Sequence, residues 1–514
     1  MPTARASGIL LDNRWVPAGG RATFPVVDPS DGSRVGEAIH ATSDDCRSAM
    51  DSAARAQPGW EALGGAARAR ILLAAADRLA ARSEALALLL TREMGKVLPE
   101  ARSEVEGAID NLRYYAAFGR TLAGEEVSLL PSGESLRLQW LPRGVVVAIT
   151  PWNFPAATVT RKIAPALVGG NTMVLKPSSN TPFTALRIAE ALVEAGLPPG
   201  VLNVVTGPGG ETGAALLGHP SCSTVTLTGS TASGVAVLRT AAPRVIKCLL
   251  ELGGKAPVIV ASDADLEWAA RATVWARFWN AGQACIAAER CYVAEEVQAE
   301  FTARLVAYTR ELRVGPGRRP GTDVGPLYAL GARDQVEKDV GTAVDHGAKV
   351  AVGGGRPSEA AFARGAYYLP TVLTGVEEEN PIAREEIFGP VLPVLTFSDF
   401  DDAIARANAS RYGLSSYVFT RDARRAEQAA RELRFGETYV NRVGPESPQG
   451  YHAGFRESGL AGEGTRWGVQ DYLQLKSVYV DWSEPHRADY FLPYHERPRS
   501  GRRAGPSRSS RSAR

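Results

Sequence analysis

The run GVVVAIT (residues 144–150) marks a change of period in the chain. Before it, SDDCRSAMDSAARA (43–56) and AARARILLAAADRLAARSEALALLL (66–90) repeat their apolar residues every three to four positions, as amphipathic helices do. After it come NTMVLKP (171–177), GVLNVVTG (200–207) and STVTLTG (223–229), short apolar runs each followed by a helical pattern. Buried parallel strands with crossover helices produce this alternation. A doubly wound α/β domain is therefore expected over roughly 144–252 together with the preceding helices. A second series begins at APVIVAS (256–262) and runs through DLEWAARATVWARFW, RCYVAEE, AKVAVGG, VLPVLTF and SSYVFT (415–420), predicting a second α/β unit. Two stretches outside these series, SLRLQWLPRG (135–144) and LQLKSVYVDW (473–482), alternate as exposed antiparallel strands do. Paired into a small bridging sheet with unpaired edges, they would favour self-association as a homodimer or homotetramer.

Bulk properties set limits. The 514 residues, 45% hydrophobic and 22% charged, suffice for two or three globular domains. Of the formal net charge of +2, the segment 497–514 supplies +7 with no acid, leaving −5 for the rest, so no nucleic-acid partner is implied. That tail, RPRSGRRAGPSRSSRSAR, has almost nothing to bury, and disorder is expected over 485–514. No run approaches the roughly 18 apolar residues of a membrane span and the N-terminus lacks a signal-type apolar core, so a cytoplasmic protein with no membrane association is expected. The five cysteines are odd in number, show no C-x-x-C pair and have no histidine cluster around them, which argues against a disulfide framework and against a metal site.

Within this frame a few residues carry chemistry. Cys285, in FWNAGQACIAAERC (278–291), follows small and polar residues after a bulky helix, which predicts an accessible turn. Cys291 alternates as in a half-buried strand and reads as a packed small hydrophobe. Spacing alone leaves Cys285 open between packing and nucleophile. A nucleophilic cysteine needs a base and oxyanion donors. Glu251 ends the strand-like run in LLELGGK, and Asn153 sits between prolines in TPWNFP; a capping Glu and a turn-forming Asn are the bland alternatives. GSTASG (229–234) places small residues and a hydroxyl at a helix start, where pyrophosphate binds, though a tight turn would look the same. TGPGGETG (206–213) is a weaker phosphate signal, and Lys176 closes a strand where α/β sheets bind ligands.

Taken together, TPWNFP, VLKPSSNTP, TGSTASG, LELGGKAP, NAGQAC, EEIFGPV and ANASRYGLSS stand in the order and spacing of the aldehyde dehydrogenase superfamily, which the chain resembles from about residue 8 to 482. RFGETYVNR and QGYHAGFRESGLAG look most like the lactaldehyde and glycolaldehyde dehydrogenase group. The resemblance implies two Rossmann-like doubly wound α/β domains plus a small bridging β-sheet. The dinucleotide-binding domain would span 1–122 and 143–253, the catalytic domain 254–465, and the bridging strands 123–142 and 466–484.

It also implies Cys285 as nucleophile, Glu251 as general base and Asn153 as oxyanion donor, in NAD- or NADP-dependent oxidation of an aldehyde to an acid through a thiohemiacetal and a thioester. The cofactor cleft would take in Thr150, Trp152, Lys176, Ser179, Gly209, Gly213, Gly229, Ser230, Leu252, Glu386 and Phe388. Ser179 and Asn180 depart from the Glu that NAD-preferring members usually carry after Lys-Pro-Ser, so NADP is expected to be accepted. Arg161, Glu446 and His452 match polar-substrate contacts of the closer group, implying small hydroxyaldehydes such as lactaldehyde or glycolaldehyde. Ile286, where that group has Asn, points instead to a more apolar or aromatic aldehyde or a semialdehyde. A cysteine-dependent acyl hydrolase or transferase and a non-enzymatic descendant are the readings from other classes. The intact cofactor motifs and the presence of Cys285, Glu251 and Asn153 together weigh against both.

Overall fold

The structure, a computed structural model, describes residues 8–129, 134–482 and 492–493; apart from 492–493, the tail expected to be disordered (485–514) lies outside the described residues. The chain divides into two compact units, one from residues up to 122 with 142–474, the other from 123–141 with residues from 475 onward.

The larger unit holds two sheets. In the first, Val145–Ile149 is central and almost wholly buried, as a Val/Ile run covered on both faces must be. Thr172–Lys176 and Leu202–Val204 follow it on one side, Cys222–Thr228 and Lys247–Glu251 on the other, all parallel. The chain thus reverses direction across the sheet between Val145–Ile149 and Cys222–Thr228. Thr150 and Gly229 stand at the carboxyl ends that flank this switch point, where open α/β sheets bind ligands.

Both edges of this sheet are closed by strands absent from the sequence reading. Ile9–Leu11 pairs antiparallel with Leu202–Val204 and with Arg14–Val16. At the other edge Gly459–Leu460, from within the 254–465 stretch, pairs antiparallel with Lys247–Glu251. The opening is correspondingly less helical than expected: Thr23–Val27 and Arg34–Ile39 form a separate ribbon, and the first helix starts at Ser43. That start is fixed by a capping box between Thr42 and Asp45.

The second sheet runs Lys349–Val352, Thr371–Thr374, Val391–Phe397, Ala288–Ala294, Ala256–Val260, Ser415–Phe419 and Glu437–Val440. All neighbours are parallel except the antiparallel pair at Lys349–Val352. Cys291 lies in Ala288–Ala294, whose residues are all buried, so the half-buried strand expected there is covered on both faces. Cys291 packs in the large core built on this sheet.

The smaller unit contains Glu125–Leu129 paired antiparallel with Glu134–Pro142, and the sheet is completed by Leu473–Asp481. Among the described residues no helix is long and apolar enough to cross a membrane.

Candidate active site

The segment that presents Cys285 is held in an unfavourable backbone conformation. After the helix Leu266–Phe278, Asn280 (φ 51°), Ala281 (φ 54°) and Gly282 (φ 75°) all occupy the left-handed region, which side chains with a Cβ rarely adopt. Hydrogen bonds hold the turn against that strain. Asn280 N donates to both carboxylate oxygens of Glu100 (3.2 and 3.1 Å), and its Nδ2 donates to the carbonyls of Asn153 (3.2 Å) and Gln283 (3.0 Å). Gln283 Nε2 donates back to Asn280 O (3.0 Å), and its Oε1 accepts from Tyr328 N (2.9 Å). At Gly282 a Cβ would stand 2.3 Å from the carbonyl oxygen of Gly389, so only glycine fits. Strain over-determined in this way is characteristic of functional turns.

Cys285 opens into a cavity of about 160 Å³ that is also lined by Asn153, Glu251, Arg161, Ile286, Glu446 and His452. Glu251 closes the strand Lys247–Glu251 and is 4% exposed, and neither carboxylate oxygen has a hydrogen-bond partner among the described residues. Burial therefore pushes its pKa up to about 8, against the pull of His452, Lys162 and Arg161. A buried, unpartnered carboxyl of this kind is suited to act as a base on water.

His452 stands between Glu251 and Cys285. Its Nδ1 lies 3.0 Å from Glu437 Oε1 and its Nε2 3.6 Å from Glu251 Oε2, and it lines the same cavity as Cys285. Burial alone would discharge the ring, but Glu437 and Glu446 outweigh it and hold it as an imidazolium. Burial raises the pKa of Cys285, and the neighbouring His452 opposes that rise.

Asn153 is positioned from beneath by a buried ion pair. Lys96 bonds to Glu104 and donates to Asn153 O at 3.0 Å. Glu104 Oε1 accepts from the backbone N–H groups of Ala156 (2.8 Å) and Ala157 (3.2 Å), at the start of the helix Ala157–Val168. The Asn153 amide donates to Gln283 O at 3.1 Å, next to the nucleophile turn.

The polar wall is a chain of ion pairs. Arg161 Nη2 donates to Glu446, and Arg161 Nε lies 3.8 Å from Glu463 Oε2. Lys162 Nζ lies 2.6 Å from Glu463 Oε1 and donates to Thr226 Oγ1 at 2.9 Å. The remaining wall is apolar, with buried Ile286 and the Phe154 and Trp279 rings 4.9 Å apart. Lys96, Glu100, Glu104, Lys162, Glu437 and Glu463 were not singled out from sequence. The one signal for Lys162 is its place beside Arg161, in the helix Ala157–Val168.

The expected cofactor residues border the switch point and its neighbourhood. Thr150 N donates to Lys176 O at 3.1 Å, while its buried hydroxyl has no partner among the described residues. Lys176 is buried and donates to Pro177 O (3.1 Å); no carboxylate among the described residues pairs with it, and burial lowers its pKa to about 8. Ser179 Oγ donates to Gly207 O at 2.8 Å.

Ser230 caps the helix Thr231–Ala241 through Ser233 N, Gly229 N donates to Glu251 O (2.9 Å), and Leu252 packs where a Cβ on Gly234 would stand. Gly209 opens the helix Gly209–Leu217 with free space where a Cβ would stand, and Gly213, one turn on, faces Ile149 at 3.7 Å. Trp152 stacks on Tyr328 with centroids 3.7 Å apart and meets Phe388 edge-on at 5.5 Å. Glu386 accepts from Gly254 N at 2.8 Å, beside Gly253, where a Cβ would come within 2.4 Å of its carboxylate; burial raises its pKa to about 7. The Thr150 hydroxyl, the Lys176 ammonium, with no carboxylate partner among the described residues, and the capped helix start fit a dinucleotide's hydroxyls and phosphates.

A model of the aldehyde dehydrogenase family matches residues 15–478. The D-glyceraldehyde dehydrogenase (NADP+) of Thermoplasma acidophilum is 42% identical over 476 residues, 92% of this chain and 96% of its own length. An NADP+ succinate-semialdehyde dehydrogenase of Escherichia coli is 38% identical over 471 residues, 92% of this chain and 97% of its own. Among solved structures, lactaldehyde dehydrogenase from Escherichia coli matches with a TM-score of 0.90 at 40% identity, over 92% of this chain and 99% of that one.

Proposed function

The chain belongs to the aldehyde dehydrogenase family, and on that premise we propose that it oxidises small, uncharged hydroxyaldehydes to carboxylic acids with NADP or NAD. The observation that carries this reading is the convergence of Cys285, Asn153 and a Glu251 with two unpartnered oxygens on one cavity.

The Cys285 thiolate, kept available by the His452 imidazolium, adds to the aldehyde carbon. The resulting oxyanion accepts hydrogen bonds from the Asn153 amide and the Cys285 backbone N–H. NADP or NAD, when bound, supplies the two-electron acceptor that takes the thiohemiacetal to a thioester on Cys285. Lys176 and Ser179 hold its adenosine ribose, Ser230 its pyrophosphate, and Glu386 with Phe388 its nicotinamide ribose. Glu251 then takes a proton from water, whose oxygen attacks the thioester carbon; the acid leaves and the thiolate is restored. Ser179 offers a hydroxyl where a carboxylate would repel a 2′-phosphate, which supports NADP.

Arg161, Glu446 and His452 present hydrogen-bonding groups to the substrate's hydroxyls, and relatives named for glyceraldehyde and lactaldehyde support that class. The apolar wall of Ile286, Phe154 and Trp279 favours a second reading, an apolar or aromatic aldehyde. Reduction of NADP and NAD is measured with glyceraldehyde, glycolaldehyde and lactaldehyde against butanal and benzaldehyde. Preference for the hydroxyaldehydes is expected; preference for butanal or benzaldehyde selects the second reading, and no reduction with any pair rejects both.

A further inference from the structure

Among the described residues, Arg161 and His452 on the cavity wall and Lys162 behind it each already have a carboxylate. Arg161 is bonded to Glu446 and faces Glu463; Lys162 is bonded to Glu463; His452 is bonded to Glu437. Glu251 is a further carboxyl with no hydrogen-bond partner among the described residues, and Lys96 is paired with Glu104. The wall therefore has no spare positive charge. Two proline-flanked positions, Pro445 and Pro448, bracket Glu446, and Arg442 Nη2 donates to Pro445 O at 3.2 Å, so the carboxylate is carried on a restrained loop. Arg161 keeps N–H donors for neutral oxygens, but its charge is already neutralised. An incoming carboxylate would meet Glu446 and Glu463 as well as the guanidinium.

We propose that Glu446 is a specificity residue that withholds Arg161 from substrate carboxylates, so that ω-carboxy aldehydes are rejected in favour of uncharged hydroxyaldehydes of the same length. This rests on the aldehyde-oxidising reading above and adds to it the residue that sets the charge of the substrate and the means by which it does so. Buried like charges discriminate strongly because the unfavourable contact is not screened by water.

The test compares kcat/KM for succinate semialdehyde and 4-hydroxybutanal, which share a four-carbon chain and differ in terminal charge, in the wild type, Glu446→Gln and Glu446→Gln/Arg161→Gln. The wild-type ratio of semialdehyde to hydroxyaldehyde is expected to be at most about 0.1, and Glu446→Gln should raise it at least about tenfold, or about 1.4 kcal/mol, mainly through KM. The double variant should lose that gain, since the freed guanidinium is its source. A wild-type ratio at or above one, an unchanged ratio in folded Glu446→Gln, or a gain that survives in the double variant overturns the proposal. Should Glu446→Gln not fold, inhibition of the wild type by succinate and by 1,4-butanediol decides: weaker inhibition by succinate is expected, and equal or stronger inhibition overturns it. If the wild type oxidises no aldehyde, the aldehyde-oxidising reading fails on its own, and binding of the same two ligands, followed by calorimetry, still decides the role of Glu446.

Discussion

Nε2 of His452 lies 3.6 Å from Oε2 of Glu251, while the opposite nitrogen of the same ring is held by Glu437 at 3.0 Å. One imidazolium thus faces both the nucleophile and the base and lowers the proton affinity of each against the effect of burial. It opposes the burial that raises the Cys285 pKa without forming a close ion pair with Glu251, whose oxygens have no hydrogen-bond partner among the described residues.

The pKa of Glu251, pushed up to about 8, gives a pH dependence with a definite sign. Only the ionised form takes a proton from water, so the rate of thioester hydrolysis rises as pH increases through about 8. Stability moves the other way. A carboxyl whose folded pKa is raised contributes stability that is fully present below its unfolded value, here 4.5, and is lost as pH rises through about 8. Glu251→Gln should therefore flatten the activity rise and lose less stability than the wild type between pH 5 and pH 9. Rate profiles and denaturant unfolding at the two pH values check this, and an unchanged wild-type-like limb in the variant contradicts it.

Gly282→Ala places a Cβ within 2.3 Å of the Gly389 carbonyl at a φ of 75°. The turn must shift, and a displacement of about 1 Å at a reacting group lowers rates on the order of a hundredfold. Steady-state kinetics should show a fall in kcat of at least about tenfold, with the fold kept by circular dichroism.

Lys96→Met removes the cation from a buried pair and leaves Glu104 with only backbone donors. Losing one member of such a pair costs about 3–5 kcal/mol, read as a lower denaturation midpoint. Because Lys96 also holds the Asn153 carbonyl, kcat should fall more than KM changes. Lys96→Arg should restore part of both.

Ser179→Glu adds a carboxylate where an adenosine 2′-phosphate is expected. The ratio of kcat/KM for NADP to that for NAD should drop at least about tenfold, since two like charges at about 4 Å repel by several kcal/mol at protein surfaces. A ratio that does not change would place the 2′-phosphate elsewhere.

The first sheet was legible because its strands announce themselves as unbroken apolar runs, and Glu251, Lys176 and Thr150 are legible as residues at the ends of such runs. Cys291 packs as the small hydrophobe expected, but its strand is more buried than its pattern implies: the charged ends of RCYVAEE imitate alternation, yet the strand is covered on both faces. The strands Ile9–Leu11, next to one edge, and Gly459–Leu460, at the other, are three and two residues long, too short to show a period, and form because neighbouring strands offer them hydrogen bonds. Lys162 and Glu463 are 301 positions apart, and Lys96 and Glu104 resemble ordinary surface charges flanking a helix start. What makes them part of the site is burial, a property of the packed fold that local pattern does not carry. For Cys285, Glu251 and Asn153 a small polar turn, a strand end and a proline-flanked loop offered candidates only; their roles were implied by the resemblance to the aldehyde dehydrogenase superfamily, and the structure brings all three to one cavity.

The most direct test of the central claim is to trap the acyl intermediate. Glu251→Gln is incubated with NADP and glyceraldehyde, and the peptide carrying Cys285 is weighed by mass spectrometry. An adduct at Cys285 two hydrogens lighter than simple aldehyde addition, formed with one equivalent of NADPH and absent from Cys285→Ala, is the expected result. NADPH production that persists in Cys285→Ala, or an adduct located on another cysteine, would contradict it.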